Sequence, residues 1–175
     1  SKIEEVKKAL RRLLEDLKRS TDRVKEEAKK LLDESRKSSE EVKRELERLL
    51  EEVTRKLRDK KEVVKEVRER VKRLMEESER SLRENEETVK RLLEESEKSL
   101  RRVEEEVRRL EKKLEDGADA DKMLRDIERL VEEHKRLNEK LLREVRESSK
   151  RHNEKNEELV KTVKKLVEDA EERAK

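Results

Sequence analysis

The apolar residues of this chain recur in columns eighteen positions apart. Cutting residues 1–54 into three blocks aligns Val6 with Val24 and Val42, Leu13 with Leu31 and Leu49, and Leu14 with Leu32 and Leu50. Residues 63–116 repeat the arrangement, with Val71, Val89 and Val107 in one column and Leu74, Leu92 and Leu110 in another. Residues 121–174 do so again through Met123, Leu141 and Leu159, and through Ile127, Val145 and Val163. Eighteen residues complete about five turns of an α-helix. A strict seven-residue repeat would impose a left-handed supercoil, so this period predicts long, nearly untwisted helices. At about 100° per residue the columns fill an arc roughly 100° wide in the first two segments and roughly 120° in the third. Doublets such as Leu141–Leu142 and Leu166–Val167 widen that third arc. An arc of this width covers one face of a helix in a small bundle.

Two interruptions punctuate the pattern. In Asp116-Gly117-Ala118-Asp119-Ala120-Asp121, the glycine suits the left-handed residue after a helix, and Asp119 or Asp121 suits the cap of the next one. The stretch Leu57-Arg58-Asp59-Lys60-Lys61-Glu62 has neither Gly nor Pro, but Asp59 and Glu62 have capping-box spacing. The predicted elements are helix 1 over about 2–58, a loop at 59–61, helix 2 over 62–115, a loop at 116–120 and helix 3 over 121–174. Together they predict an all-α, antiparallel up-down-up bundle of three helices forming one domain over residues 1–175. The rival is a continuous helix over 2–116 plus one ~54-residue helix in an oligomer, because the stripe resumes in nearly the same phase at Val64.

Polar residues break the three stripes at shared heights. With the chain folded back at its two loops, Ser35, Ser38 and Ser39 lie level with Asn85, Ser81 and Ser78, and these with His152, Asn153 and Asn156. Ser149 sits on the same inward stripe. Towards one end, Ser20 and Thr21 meet Ser99 and Ser96, which meet Asn138, with His134 about one turn along. Such inward Ser, Thr, Asn and His side chains predict buried hydrogen bonds, because an unpartnered buried polar group costs about 1–3 kcal/mol. Polar layers of this kind weaken a core but specify register and topology. Tuning of a bistable element or of a partner interface is the alternative use.

Composition narrows function by exclusion. The chain is 59% charged and 29% hydrophobic, with one Gly and no Pro, Cys or aromatic residue. Strand-rich folds draw on aromatics and on Gly or Pro turns, and no thiolate chemistry exists without Cys. The 53 basic and 50 acidic residues nearly cancel and are interspersed. Neither a basic face nor stacking aromatics marks a nucleic-acid surface. Pairs such as Glu4–Lys8, Glu26–Lys30, Glu94–Lys98 and Glu139–Arg143 have the stabilising acid-before-base order at i,i+4. No apolar run is long enough for a membrane span, and no secretory signal is expected at the N-terminus.

Catalytic and metal chemistry find no motif. His134 and His152 share a column but stand about 27 Å apart along one helix, too far to share a metal ion. Neither a His-Glu-x-x-His pattern nor a Cys/His cluster is present, so no metal and no cofactor is expected. The carboxylates belong to the solvated face, no Gly-rich phosphate loop exists, and no inward Asp completes a Ser–His arrangement. The chain is therefore read as no enzyme. Protonation of a buried histidine in acid is the sharper possibility, since it removes an acceptor and adds a charge.

These features resemble a de novo designed helical bundle. The resemblance lies in the eighteen-residue repeats, in segments such as SEEVKRELERLLEEV and EETVKRLLEESEKSL, in the absent aromatics and in the DGADAD loop. It covers the whole chain as a style rather than as a family motif. It implies a straight, very stable three-helix bundle with deliberate hydrogen-bond networks, no natural substrate and no natural location beyond soluble recombinant expression in the cytoplasm. The partner expectation is a monomer, with a homo-oligomer as the alternative, and no nucleic acid, membrane or small-molecule substrate. The alternative function is an interaction or switch module that docks a further helix or self-associates through its apolar face.

Overall fold

A computed structural model describes residues 1–175 as three α-helices, α1 (Lys2–Lys56), α2 (Lys61–Glu115) and α3 (Ala120–Arg173). There are no strands, and the chain is a three-helix bundle. The continuous helix over 2–116 is thus excluded, because α1 ends before Leu57. Its last turn closes with Leu57 N–H donating to the Val53 carbonyl and Lys60 N–H to the Leu57 carbonyl. The Asp59–Glu62 capping box does not form. α2 starts at Lys61, so Lys60 holds the capping position and Asp59 lies one residue too early, exposed.

The second turn follows its residues closely. Gly117 has φ +91°, its N–H donates to the Leu114 carbonyl, and Ala118 N–H donates to the Lys113 carbonyl. Those two bonds satisfy the last carbonyls of α2 and define a Schellman turn, which needs a left-handed residue at this point. Asp119, rather than Asp121, caps α3. Its Oδ1 accepts from the N–H groups of Asp121 at 3.1 Å and Lys122 at 3.3 Å.

The contacts divide the chain into two compact units, where the periodicity alone treats it as one body. Unit 1 comprises Ser1–Lys29 and Val89–Arg146; unit 2 comprises Lys30–Thr88 and Glu147–Lys175. Each takes one stretch of every helix. In unit 1, Lys7 Nζ reaches Glu115 at 2.8 Å and Lys2 Nζ reaches Asp121 at 2.9 Å, so α1 runs antiparallel to α2 and parallel to α3. Its core packs Val6, Leu10 and Leu17 against Val103, Val107, Leu110 and Leu114, and against Met123, Ile127 and Val131. In unit 2, Val42, Leu46, Leu49, Val53 and Leu57 pack on Val64, Val67 and Val71, and on Val163, Val167 and Ala170. The helix directions are the same there: Lys56 meets Glu171 at 3.6 Å, and Arg173 meets Glu66 at 3.2 Å.

Burial follows the columns. Apart from Ile3, no large hydrophobic side chain is exposed. Nineteen ion pairs lie mostly on solvated faces, where each contributes about 1 kcal/mol or less. The stability of the fold therefore rests on the apolar columns, with the charges keeping the outer faces wet.

Candidate functional site

Three groups of buried polar side chains interrupt these cores. In unit 1, His134 is 2% exposed and both of its ring nitrogens have partners. Nδ1 lies 2.7 Å from Ser99 Oγ; Nε2 lies 2.9 Å from Thr21 Oγ1 and 3.1 Å from Asn138 Nδ2. Asn138 is the residue one helical turn further along α3. Its Nδ2 also lies 3.5 Å from Thr21 Oγ1, and its Oδ1 accepts from Ser96 Oγ at 2.5 Å. Thr21 has a second acceptor in reach, the Leu17 carbonyl at 3.0 Å.

Unit 2 carries the same construction displaced by eighteen residues. His152 Nδ1 lies 2.7 Å from Ser81 Oγ, and Nε2 lies 2.8 Å from Ser39 Oγ and 3.3 Å from Asn156 Nδ2. Asn156 Oδ1 accepts from Ser78 Oγ at 2.7 Å, while its Nδ2 donates to Ser38 Oγ at 3.0 Å and reaches Ser39 Oγ at 3.4 Å. Every member but Ser38 has a counterpart in the first cage: Thr21 for Ser39, Ser96 for Ser78, Ser99 for Ser81, His134 for His152 and Asn138 for Asn156. A helix of about 3.6 residues per turn presents the same face again after eighteen residues, so one side-chain set fits twice.

The third group occurs once. Asn85 Nδ2 donates to Ser35 Oγ at 3.2 Å and Ser149 Oγ at 3.4 Å, and Asn85 Oδ1 accepts from Ser148 Oγ at 2.6 Å. Ser35, Asn85 and Ser149 stand in columns whose other members are buried and apolar: Leu17 and Val53, Val103 and Val67, Val131 and Val167. This layer substitutes hydrogen bonds for apolar contact at one height and is not repeated.

Each ring nitrogen of both histidines has a hydroxyl within hydrogen-bond distance, Ser99 and Thr21 in one cage and Ser81 and Ser39 in the other, and which of the two nitrogens donates depends on the tautomer. Burial pushes the pKa of each below the ordinary value of 6.5. At His152 the Ser35 carbonyl works more weakly in the opposite direction, and the nearby Lys155 charge adds to the lowering.

The structure rearranges part of the expected grouping. His134 belongs with Thr21 and Ser99 rather than a turn away, because its ring extends back along α3 to their level. Asn85 is bonded to Ser35, Ser148 and Ser149 and to neither residue of the His152 cage. Ser20 lies outside these bonds and lines an open groove between α1 and α3 beside Val24 and Leu142. Asn153 is half-buried, and its Oδ1 is a buried acceptor without a donor. Ser148 was not among the expected residues; its adjacency to Ser149 on a wide stripe was the available signal. No group of three or more His, Cys, Asp or Glu side chains is arranged to hold a metal ion. No helix is long and apolar enough to cross a membrane. The chain matches no protein-family model and no curated protein sequence.

Proposed function

We propose that the chain is a designed structural scaffold with no natural biochemical function, in which polar core layers specify how three helices meet. The observation that carries this reading is the pairing of polar groups. Across all three helices the fully buried Ser, Thr, Asn and His side chains are bonded to one another, with Asn153 Oδ1 the sole buried side-chain atom lacking a partner. Buried polar groups satisfied in this way contribute little net stability, yet a shifted register strands several of them at about 1–3 kcal/mol each. Their use is therefore to penalise alternatives. The repeated cages reward the correct faces at two heights, and the single Asn85 layer distinguishes one height from another.

The apolar surface supports a monomer. The doublets of α3 have one member buried and one half-buried, Leu141 with Leu142 and Val167 with Leu166, so no continuous stripe is left over for a further helix. High thermal stability belongs to the same reading, since the columns bury a leucine or valine at nearly every inward turn. Size-exclusion chromatography with light scattering tests the proposal, with refractive index reporting concentration because the chain has no Trp or Tyr. A mass near 21.2 kDa is expected. A mass of two or more chains would overturn the monomeric scaffold in favour of a module that self-associates.

A further inference from the structure

We propose that the groove beside the first turn binds a small linear polyanion of the inorganic oligophosphate class. The groove, of about 370 Å³, lies between the end of α1 and the start of α2. Four bases line it: Arg58 from the turn, and Lys61, Lys65 and Arg68 from α2. None of the four forms an ion pair, whereas their neighbours Arg48, Lys56 and Arg173 all do. Glu69 is the one acid in the lining, and it is paired with none of them. Glu52 and Glu66, which flank the groove in sequence, are already engaged by Lys56 and Arg173. Asp59 and Glu62 belong to the same turn but do not line the groove.

The lining therefore carries a net +3, equal to the formal charge of the whole chain. The groove beside Ser20 shows the contrast: Arg19, Arg23 and Lys135 are balanced there by Asp16, Glu27 and Glu139. A concentration of unpaired bases in a concave site favours an anion, which Lys holds as a point charge and Arg through paired N–H donors.

The spacing points to an extended ligand. Lys61, Lys65 and Arg68 are four and three residues apart, so they share one face of α2 and span about 10 Å of helix. Arg68 is tethered across the groove, its Nη2 donating to Thr54 Oγ1 at 3.4 Å, while that hydroxyl donates to the Leu50 carbonyl at 2.8 Å. A row of charges of this length engages several phosphate groups at once, where a single phosphate ion meets only part of it. The site uses no residue of the polar layers and is independent of the scaffold reading.

The test is titration calorimetry of the full chain with sodium tripolyphosphate at low salt. One equivalent per chain is expected, with orthophosphate bound more weakly. Lys61→Gln/Arg68→Gln should weaken tripolyphosphate binding about 10-fold or more, since each lost charge contact at about 4 Å removes on the order of a fivefold factor even in water. Arg19→Gln/Arg23→Gln removes the same charge from the balanced groove and should bind as the parent does. Both pairs are exposed and glutamine is a good helix former, so the helices persist. In the unaltered chain, amide chemical-shift changes should centre on residues 54–69. Absence of binding, several equivalents per chain, equal affinity for orthophosphate, equal weakening in the two variants, or shifts spread along all three helices would each overturn the proposal.

Discussion

Acidification is the perturbation to which this core is most exposed. Each histidine is 2% exposed, and its two nitrogens already have partners. A second proton on the ring makes both nitrogens donors, with Nε2 then facing the asparagine Nδ2 at 3.1 Å in unit 1 and 3.3 Å in unit 2. No carboxylate is among the hydrogen-bond partners of either ring, so the new charge is buried without a counterion. The pKa of each histidine is pushed below 6.5 in the folded chain by burial. The unfolded chain therefore binds protons first, and stability is full above about pH 6.5 and declines as pH falls below it. The slope approaches about 1.4 kcal/mol per pH unit for each histidine. Between pH 7.5 and 5.5 that amounts to a loss of up to about 1.4 kcal/mol per residue and about 2.7 kcal/mol for the two together. Stopping at pH 5.5 keeps the carboxylates out of the measurement, since Glu45, Glu97 and Glu106 are held below their ordinary value of 4.5 by hydrogen bonds from Arg48, Lys25 and Arg109. The assay is urea unfolding followed by circular dichroism at both pH values. The parent should lose stability, each of His134→Gln and His152→Gln should lose about half as much, and the double variant should be nearly insensitive. If the double variant shows the same loss as the parent, buried histidine protonation is not the cause and the reasoning fails.

Three further variants probe the turn and the single polar layer. Gly117→Ala should cost about 1–2 kcal/mol in a urea titration, because φ is +91° there and the added Cβ meets no neighbouring atom that could compensate; an unchanged midpoint contradicts the Schellman assignment. Replacing the asparagine layer by its column residues, as Ser35→Leu, Asn85→Val and Ser149→Val together, should raise the unfolding midpoint, since exchanging the three buried partners for apolar groups is neutral or stabilising and only the half-buried Ser148 keeps its hydroxyl. Asn85→Val alone should lower it by about 1–3 kcal/mol by stranding the hydroxyls of Ser35, Ser148 and Ser149. A triple variant weaker than the single one would show that the layer contributes stability rather than specificity.

How much of this was legible in the chain can be judged residue by residue. The eighteen-residue columns determine the helical periods and their inward faces, because a fixed period of apolar residues has only one way to be buried on a helix, while the break between α1 and α2 was decided by the structure. Gly117 and Asp119 determine the second turn through backbone chemistry that acts within a few residues. The first turn was less legible. Without Gly or Pro, its cap depended on where α1 stopped, and that point, with Leu57 buried in the core just past the helix end, does not follow the Asp59–Glu62 spacing. The heights of the polar residues were visible as interruptions in the stripes, but their partners were not. Which hydroxyl meets which histidine nitrogen depends on side-chain reach of a few ångströms: His134 extends to Thr21 and Ser99, Asn85 turns to Ser148 and away from His152, and Asn153 Oδ1 is left alone. The division into two compact units likewise belongs to the tertiary structure. Periodicity is a property of one helix at a time and is set by the sequence; the pairing of polar groups belongs to the space between helices, where three rows of side chains must be satisfied at once.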